Sequence, residues 1–282
     1  MNIPPPPRRP FNTPAPAAPV ILDLTPRKAE TPCPRILFYG VEGFGKTTLA
    51  ANAPKPVIFA ARDEQGVKPL VDSGMITGVP VLDCSTFAET LGMIDSLIAD
   101  TQGIQTAAFD SLGAFERLAM EAVCTRDFKG EWGENGFASY GKGVAGTLTE
   151  MLKLLQRLDS LNKKGVTILV LAHATVKNFK NPTGADFDQY QVACLPQIWD
   201  TVSRWSDAIL FAKFESIVEI GGKSKGNIAK DRGKGIGGTD RVVYTERRDA
   251  FVAKNRFGMP AEIELSGDRS QSWSEIWQHI VK

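Results

Sequence analysis

The chain is poor in the residues that build zinc sites and disulfide frameworks. Its 282 residues include only two histidines, His173 and His279, and four cysteines, Cys33, Cys84, Cys124 and Cys194. No two cysteines are close in sequence and no C-x-x-C occurs, so a zinc site is not expected and four reduced thiols are. Long apolar runs are also missing. The longest, Val166 to Ala172 interrupted by Thr167, falls far short of the roughly 20 residues that cross a bilayer. The N-terminus carries no apolar signal segment. A soluble, cytoplasmic protein with no membrane partner is therefore expected. An excess of charge of one sign is absent as well. The net charge of +1 does not by itself announce a polyanion partner.

The distribution of that charge is more informative. Residues 36–220 carry 16 Lys/Arg against 22 Asp/Glu, whereas residues 221–256 carry 10 against 4. A basic segment on an acidic body is the asymmetry expected of a polyanion contact. Residues 1–34 hold 11 of the 18 prolines. Pro4 to Pro7 cannot donate backbone hydrogen bonds and favour polyproline II, so a disordered tail is expected there, serving as a linker or a docking peptide.

The body reads as alternating strands and helices. Strands are predicted at 36–39, 57–61, 79–82, 106–109 and 166–172, and helices at 46–52, 87–98, 112–123 and 144–161. Strands with period-two character follow at 208–220 and 242–254, joined by the glycine-rich stretch 221–239. Alternation of this kind implies an α/β fold with a mostly parallel sheet and helices on both faces. The late strands are expected to extend it as antiparallel edges. Residues 266–282, with Trp273, Ile276, Trp277 and Ile280 at helical spacing, predict a terminal helix or tail.

Gly40-Val41-Glu42-Gly43-Phe44-Gly45-Lys46-Thr47 matches G-x-x-x-x-G-K-[ST], with a strand before it and a helix after it. The glycines let backbone N–H groups turn inward around phosphates, and the helix N-terminus adds partial positive charge. Gly40, Glu42, Gly43, Phe44, Gly45, Lys46, Thr47 and Thr48 form the expected nucleotide-binding set. Lys46 is expected on the β- and γ-phosphates, and the Thr47 hydroxyl on Mg²⁺. Asp110 ends an apolar strand, where a second oxygen donor for the metal is expected. Ser111 after it could cap the next helix. Asp63 and Glu64 follow the strand 57–61. Loops beyond strand C-termini form the site in such folds, and Glu64 is the preferred general base. His173 ends the buried strand 166–172 and could sense the γ-phosphate.

Asp110-Ser111-Leu112-Gly113 also fits the D-x-x-G of GTPases, but Asn162-Lys163-Lys164-Gly165 lacks the acid that would read guanine. Lys254-Asn255-Arg256-Phe257-Gly258, with Pro260 close behind, resembles the KNRFG motif of RecA-like ATPases such as RadA. It is also similar to the lysine–arginine pair of ring helicases like DnaB. Together with Gly40–Thr47 and Glu64-Gln65-Gly66, it makes residues 35–265 similar to the phage RecA-like nucleotide-binding proteins of recombination and single-strand annealing. The resemblance implies a RecA-like P-loop core that hydrolyses ATP with Mg²⁺ and acts on single-stranded DNA. It further implies self-assembly into a ring or filament, with Lys254 and Arg256 reaching the neighbouring subunit's ATP. A single-strand-binding protein is a further possible partner. Candidate DNA contacts are Lys177 and Lys180 after His173, the mixed basic and aromatic stretch 126–143, and Lys223, Lys225, Lys230, Arg232 and Lys234. A helicase or loader motor and an ATP-gated scaffold are the alternatives.

Overall fold

Strand β1 (Arg35–Gly40) is apolar at nearly every position because both of its faces are covered. Leu37 and Tyr39 enter one hydrophobic cluster, while Ile36 and Phe38 enter another. Successive strand side chains point to opposite faces, so these clusters are the two layers between the sheet and its helices. The computed structural model describes residues 33–219 and 234–280. Most of the proline-rich tail and Lys223, Lys225, Lys230 and Arg232 therefore lie outside the described residues.

After β1 come α1 (Lys46–Ala51), β2 (Pro56–Ala61), α2 (Val67–Asp72), β3 (Val81–Cys84), α3 (Phe87–Ala99), β4 (Thr106–Asp110), α4 (Leu112–Phe128) and α5 (Lys142–Asn162). Then follow β5 (Thr167–Phe179), β6 (Phe187–Val192), α6 (Pro196–Trp205), β7 (Ala208–Glu219), β8 (Lys234–Tyr244), β9 (Lys254–Asn255), β10 (Glu262–Leu265) and α7 (Ser272–Trp277). The sheet order is β10-β8-β7-β1-β5-β4-β2-β3. The strands from β7 through β3 run parallel. The result is an α/β fold with a mostly parallel central sheet, flanking helices and late antiparallel strands. Cys33, Cys84, Cys124 and Cys194 are free thiols. Among the described residues no helix is long and apolar enough to cross a membrane.

Several elements depart from the expected boundaries. β7 is an interior strand parallel to β1, and antiparallel pairing on that side begins with β8. β8 starts at Lys234, inside the stretch expected to be a basic loop, and ends at Tyr244 rather than 254. Glycine disfavours strands, but ladder bonds are made by the main chain, and β7 supplies a partner as far as Glu219. Lys234 therefore opens a strand; its side chain is not described. β5 runs past His173 to Phe179 because β6 pairs with it antiparallel, forming a hairpin. Within the 126–143 stretch Tyr140 is fully exposed and Trp132 half-exposed, while other members are engaged. Phe137 is buried against Val123 and Cys124, Trp132 rests on Phe137 at 5.0 Å, and Arg126 is bound to Asp127 and Glu150.

Candidate nucleotide-binding site

β1 and β7 approach each other closely where the phosphate loop begins. A Cβ on Gly40 would lie 2.3 Å from the Ala212 carbonyl oxygen, so only glycine fits there. Val41 N donates to the same carbonyl at 3.1 Å. Gly43 (φ 72°) and Gly45 (φ 101°) take left-handed conformations, and Gly45 leads into α1. Phe44, between them, turns its ring into the core. It packs at 6.0 Å from Phe38 and 5.7 Å from Phe214, with the Arg241 guanidinium 5.7 Å away. Only its main chain is left to the loop. Glu42 is exposed, while Thr47 and Thr48 are half-buried on the first turn of α1. Lys46 curls back on the loop, its Nζ donating to the carbonyls of Gly40 (3.1 Å) and Val41 (3.0 Å). Burial holds its pKa below the ordinary lysine value.

β4 delivers Asp110 to the same place. Its carboxylate accepts from the Thr47 hydroxyl at 2.6 Å. Burial pushes the Asp110 pKa up to about 6, against the opposing effect of the Thr47 hydrogen bond. A buried carboxylate beside a hydroxyl and a phosphate loop is an all-oxygen donor set, which suits a hard cation that also takes phosphate oxygens. Mg²⁺ therefore fits these two residues.

Glu64 lies beyond the end of β2. Its Oε2 accepts from Ser111 Oγ at 2.9 Å and lies 3.2 Å from His173 Nε2. The His173 hydrogen bond is the first cause lowering the Glu64 pKa, and the same bond raises that of His173. Asp63 instead faces Arg62 (3.4 Å) and Arg117 (3.5 Å). Lys46, Thr47, Glu64, Asp110 and His173 thus meet at the C-terminal edge of the parallel strands. Ser111 joins them unforeseen. It stands at the N-cap of α4 but makes no side-chain cap bond there.

Lys254 and Arg256 lie elsewhere. Asn255 and Lys254 pair with Ala208 and Ile209 at the start of β7, beside the start of β1. The run from Arg35 to Gly40 spans about 17 Å at the usual strand rise, so neither cation reaches the loop of its own chain. They also do not act as a matched, unpaired pair. Lys254 Nζ donates to the carbonyls of Ser203 (2.9 Å), Arg204 (3.4 Å) and Ser206 (2.7 Å), satisfying the end of α6. Arg256 Nη1 pairs with Asp207 at 3.0 Å. Asn255 closes the turn between them, accepting from Phe257 N and donating to Met259 O. In the β5–β6 hairpin, Lys177 is exposed, and Lys180 is paired with Asp186.

One further cation touches the loop. Arg269 Nη2 donates to the Gly43 carbonyl at 3.2 Å. Nothing in the local sequence marks it, because it reaches the loop only through the packing of the C-terminal segment.

Comparison with known families agrees with this geometry. The family described as AAA domain matches residues 33–257. The chain belongs to this family, and with its phosphate loop it is a nucleotide-binding domain of the P-loop ATPase type. No curated protein matches the chain.

Proposed function

We propose that the chain is an ATP-hydrolysing, RecA-like protein that acts on single-stranded DNA in phage-type recombination, annealing or repair. The observation that carries hydrolysis is the meeting of Thr47–Asp110 and Ser111–Glu64–His173 beside the phosphate loop. Lys46 leaves the Gly40 and Val41 carbonyls and takes the β- and γ-phosphate oxygens. Thr47 and Asp110 would hold Mg²⁺, which would supply charge neutralisation when bound. Glu64 accepts a proton from the water that attacks the γ-phosphorus. The bond to the β–γ bridging oxygen breaks, and ADP and phosphate leave. Ser111 and His173 keep the Glu64 carboxylate ionised and aimed.

The DNA reading is supported by continuity and charge. β5 runs without a break from His173 to Lys177. A cavity of about 650 Å³ elsewhere is lined by Arg204 and Arg247 with Trp199 and Phe179; Lys254 and Arg256 border it too, but are held by main-chain carbonyls and by Asp207. Cations interleaved with aromatics suit a single strand, whose phosphates and base faces they would meet. Self-assembly would bring Arg256 to a neighbour's nucleotide.

Steady-state ATPase with and without single-stranded DNA tests the proposal. Lys46→Ala abolishes turnover and weakens ATP binding, and Glu64→Gln keeps binding while slowing turnover by about 10²-fold or more. Stimulation by DNA is expected. Full ATPase that ignores DNA would instead favour a protein-binding scaffold, and displacement of a duplex strand would favour a motor.

A further inference from the structure

The phosphate loop lies in the middle of the sheet, and Glu64 beyond β2, Asp110 at the end of β4 and His173 within β5, level with the end of β1, all lie on one side of β1. A triphosphate whose γ end faces those groups must lead its nucleoside the other way, toward β7, β8 and β10. On that side the β7–β8 ladder is interrupted. Phe214 pairs with Arg241 but Ser216 with Gly237, so residues 238–240 stand opposite Glu215 alone. Bulges of this kind bend a strand, re-aim its side chains and gather beside active sites. Gly238 comes so near that a Cβ would lie 2.4 Å from the Glu215 carbonyl oxygen. A cavity of about 480 Å³ opens here, lined by Phe214, Thr239, Asp240 and Arg269 among others. That volume is typical of a small-ligand pocket, which runs from about 300 to 1,000 Å³.

Its outer wall is the segment that follows the residues matched by the AAA domain. Trp273, Ile276 and Ile280 are buried in the cluster that also holds Phe44 and Leu49. Trp273 stacks on Trp277 at 5.3 Å, and Ser272 Oγ accepts from Arg241 at 3.0 Å. This anchoring lays Arg269 along the loop, its Cδ 3.5 Å from where a Gly45 Cβ would stand. Arg269 is exposed, and among the described residues its guanidinium makes no ion pair. Most of its donors are therefore available to a ligand beside the loop.

We propose that this cavity is the nucleoside site of the bound nucleotide, and that Arg269 covers the base and ribose there. The inference rests on the reading of Gly40–Thr47 as a nucleoside-triphosphate loop. Phe214 supplies a ring face for the base, as Arg269 supplies a guanidinium plane. Thr239 and Asp240 offer acceptors to ribose hydroxyls or an exocyclic amine. The C-terminal segment is then part of the nucleotide site and not an accessory to the fold.

Calorimetric titration with two ligands tests this: ATP with Mg²⁺, and inorganic tripolyphosphate with Mg²⁺, which has no nucleoside. Arg269→Ala and the cavity-filling Thr239→Trp should each weaken ATP about tenfold, the scale of a lost bond to a charged group. Tripolyphosphate should bind both variants as it binds the wild type, whereas Lys46→Ala should weaken both ligands. Equal losses for ATP and tripolyphosphate in Arg269→Ala, or ATP affinity untouched in both variants, would overturn the nucleoside site and leave the loop reading standing. Wild-type protein that binds neither ligand would overturn the loop reading itself. Thr239 is exposed, so its variant keeps the test open should Arg269→Ala fail to fold.

Discussion

Ser111 Oγ donates to Glu64 Oε2 over 2.9 Å, so the residue directly after the buried Asp110 holds the acid that stands beyond a different strand. The chain could have spent this hydroxyl on capping α4, where an N-cap serine normally contributes about 1 kcal/mol. It spends it on Glu64 instead. Ser111→Ala should therefore lower kcat several-fold with the ATP dissociation constant nearly unchanged, because Thr47 and Asp110 keep their own bond. Stopped-flow binding and steady-state turnover separate the two quantities. A loss confined to affinity would mean that Ser111 supports the metal side and not the base.

The Glu64–His173 pair sets a pH dependence of stability. The His173 pKa is raised above its ordinary 6.5, first through its hydrogen bond to Glu64. Stability from this source is fully present below 6.5 and is lost as pH rises through the raised folded value. Wild type and Glu64→Gln should thus differ most in Tm near pH 6, and the gap should narrow above neutrality. Melting curves taken across pH 5.5 to 8.5 check this. A gap that widens with pH would show that the pair is not what the imidazolium stabilises.

Phe44 is the pin of the phosphate loop. Its ring is about 1% exposed and sits among Phe38, Phe214 and Arg241. Phe44→Ala should cost about 3–5 kcal/mol of stability, the usual range for emptying a buried aromatic site. Phe44→Leu should cost much less and retain ATP binding. Chemical denaturation of both variants measures the difference. Equal, small losses would mean that the loop is held by its glycines and main-chain bonds alone.

The phosphate loop, Asp110 and the alternating order of elements were legible because each is written in contiguous residues. A strand, a glycine pattern and a helix start are local events. Glu64 was legible from position, since loops at strand C-termini converge in a parallel sheet. What stayed hidden depends on contacts between distant residues. Asp207, which claims Arg256, lies 49 positions away from it, and Arg269 meets Gly43 across 226 positions. No period reports such distances. The β5–β6 hairpin was missed because Phe187–Val192 is short and half polar, so its strand character comes from its partner. β8 was misjudged at its start because glycines weigh against a strand, whereas β7 offered main-chain partners regardless.

The separation of Lys254 from Arg256 yields the prediction that bears most on architecture. Lys254 Nζ already serves three carbonyl oxygens at the end of α6, so its charge is committed within its own chain. Lys254→Met should destabilise the fold, by about 1–3 kcal/mol for acceptors left without a donor, and any loss of ATPase should follow that loss of folded protein. Arg256 is different. It is 52% exposed and, among the described residues, its guanidinium is paired with Asp207 alone, which keeps Arg35 through bonds of 3.0 and 2.9 Å when Arg256 leaves. Arg256 would, on the proposed shared site, leave Asp207 for a neighbour's γ-phosphate without stranding that carboxylate. On the proposed shared site, Arg256→Ala should fold normally and lose about 10³-fold in turnover, as other trans-acting arginines do. Mixing it with Lys46→Ala should restore part of the activity, because some interfaces then pair an intact loop with an intact Arg256. Lys254→Met mixed with Lys46→Ala should restore nothing beyond the activity of Lys254→Met itself. If the Arg256→Ala mixture stays inactive while the two variants co-assemble, the shared site is wrong. If Arg256→Ala alone is fully active, Arg256 is a surface partner of Asp207 and nothing more.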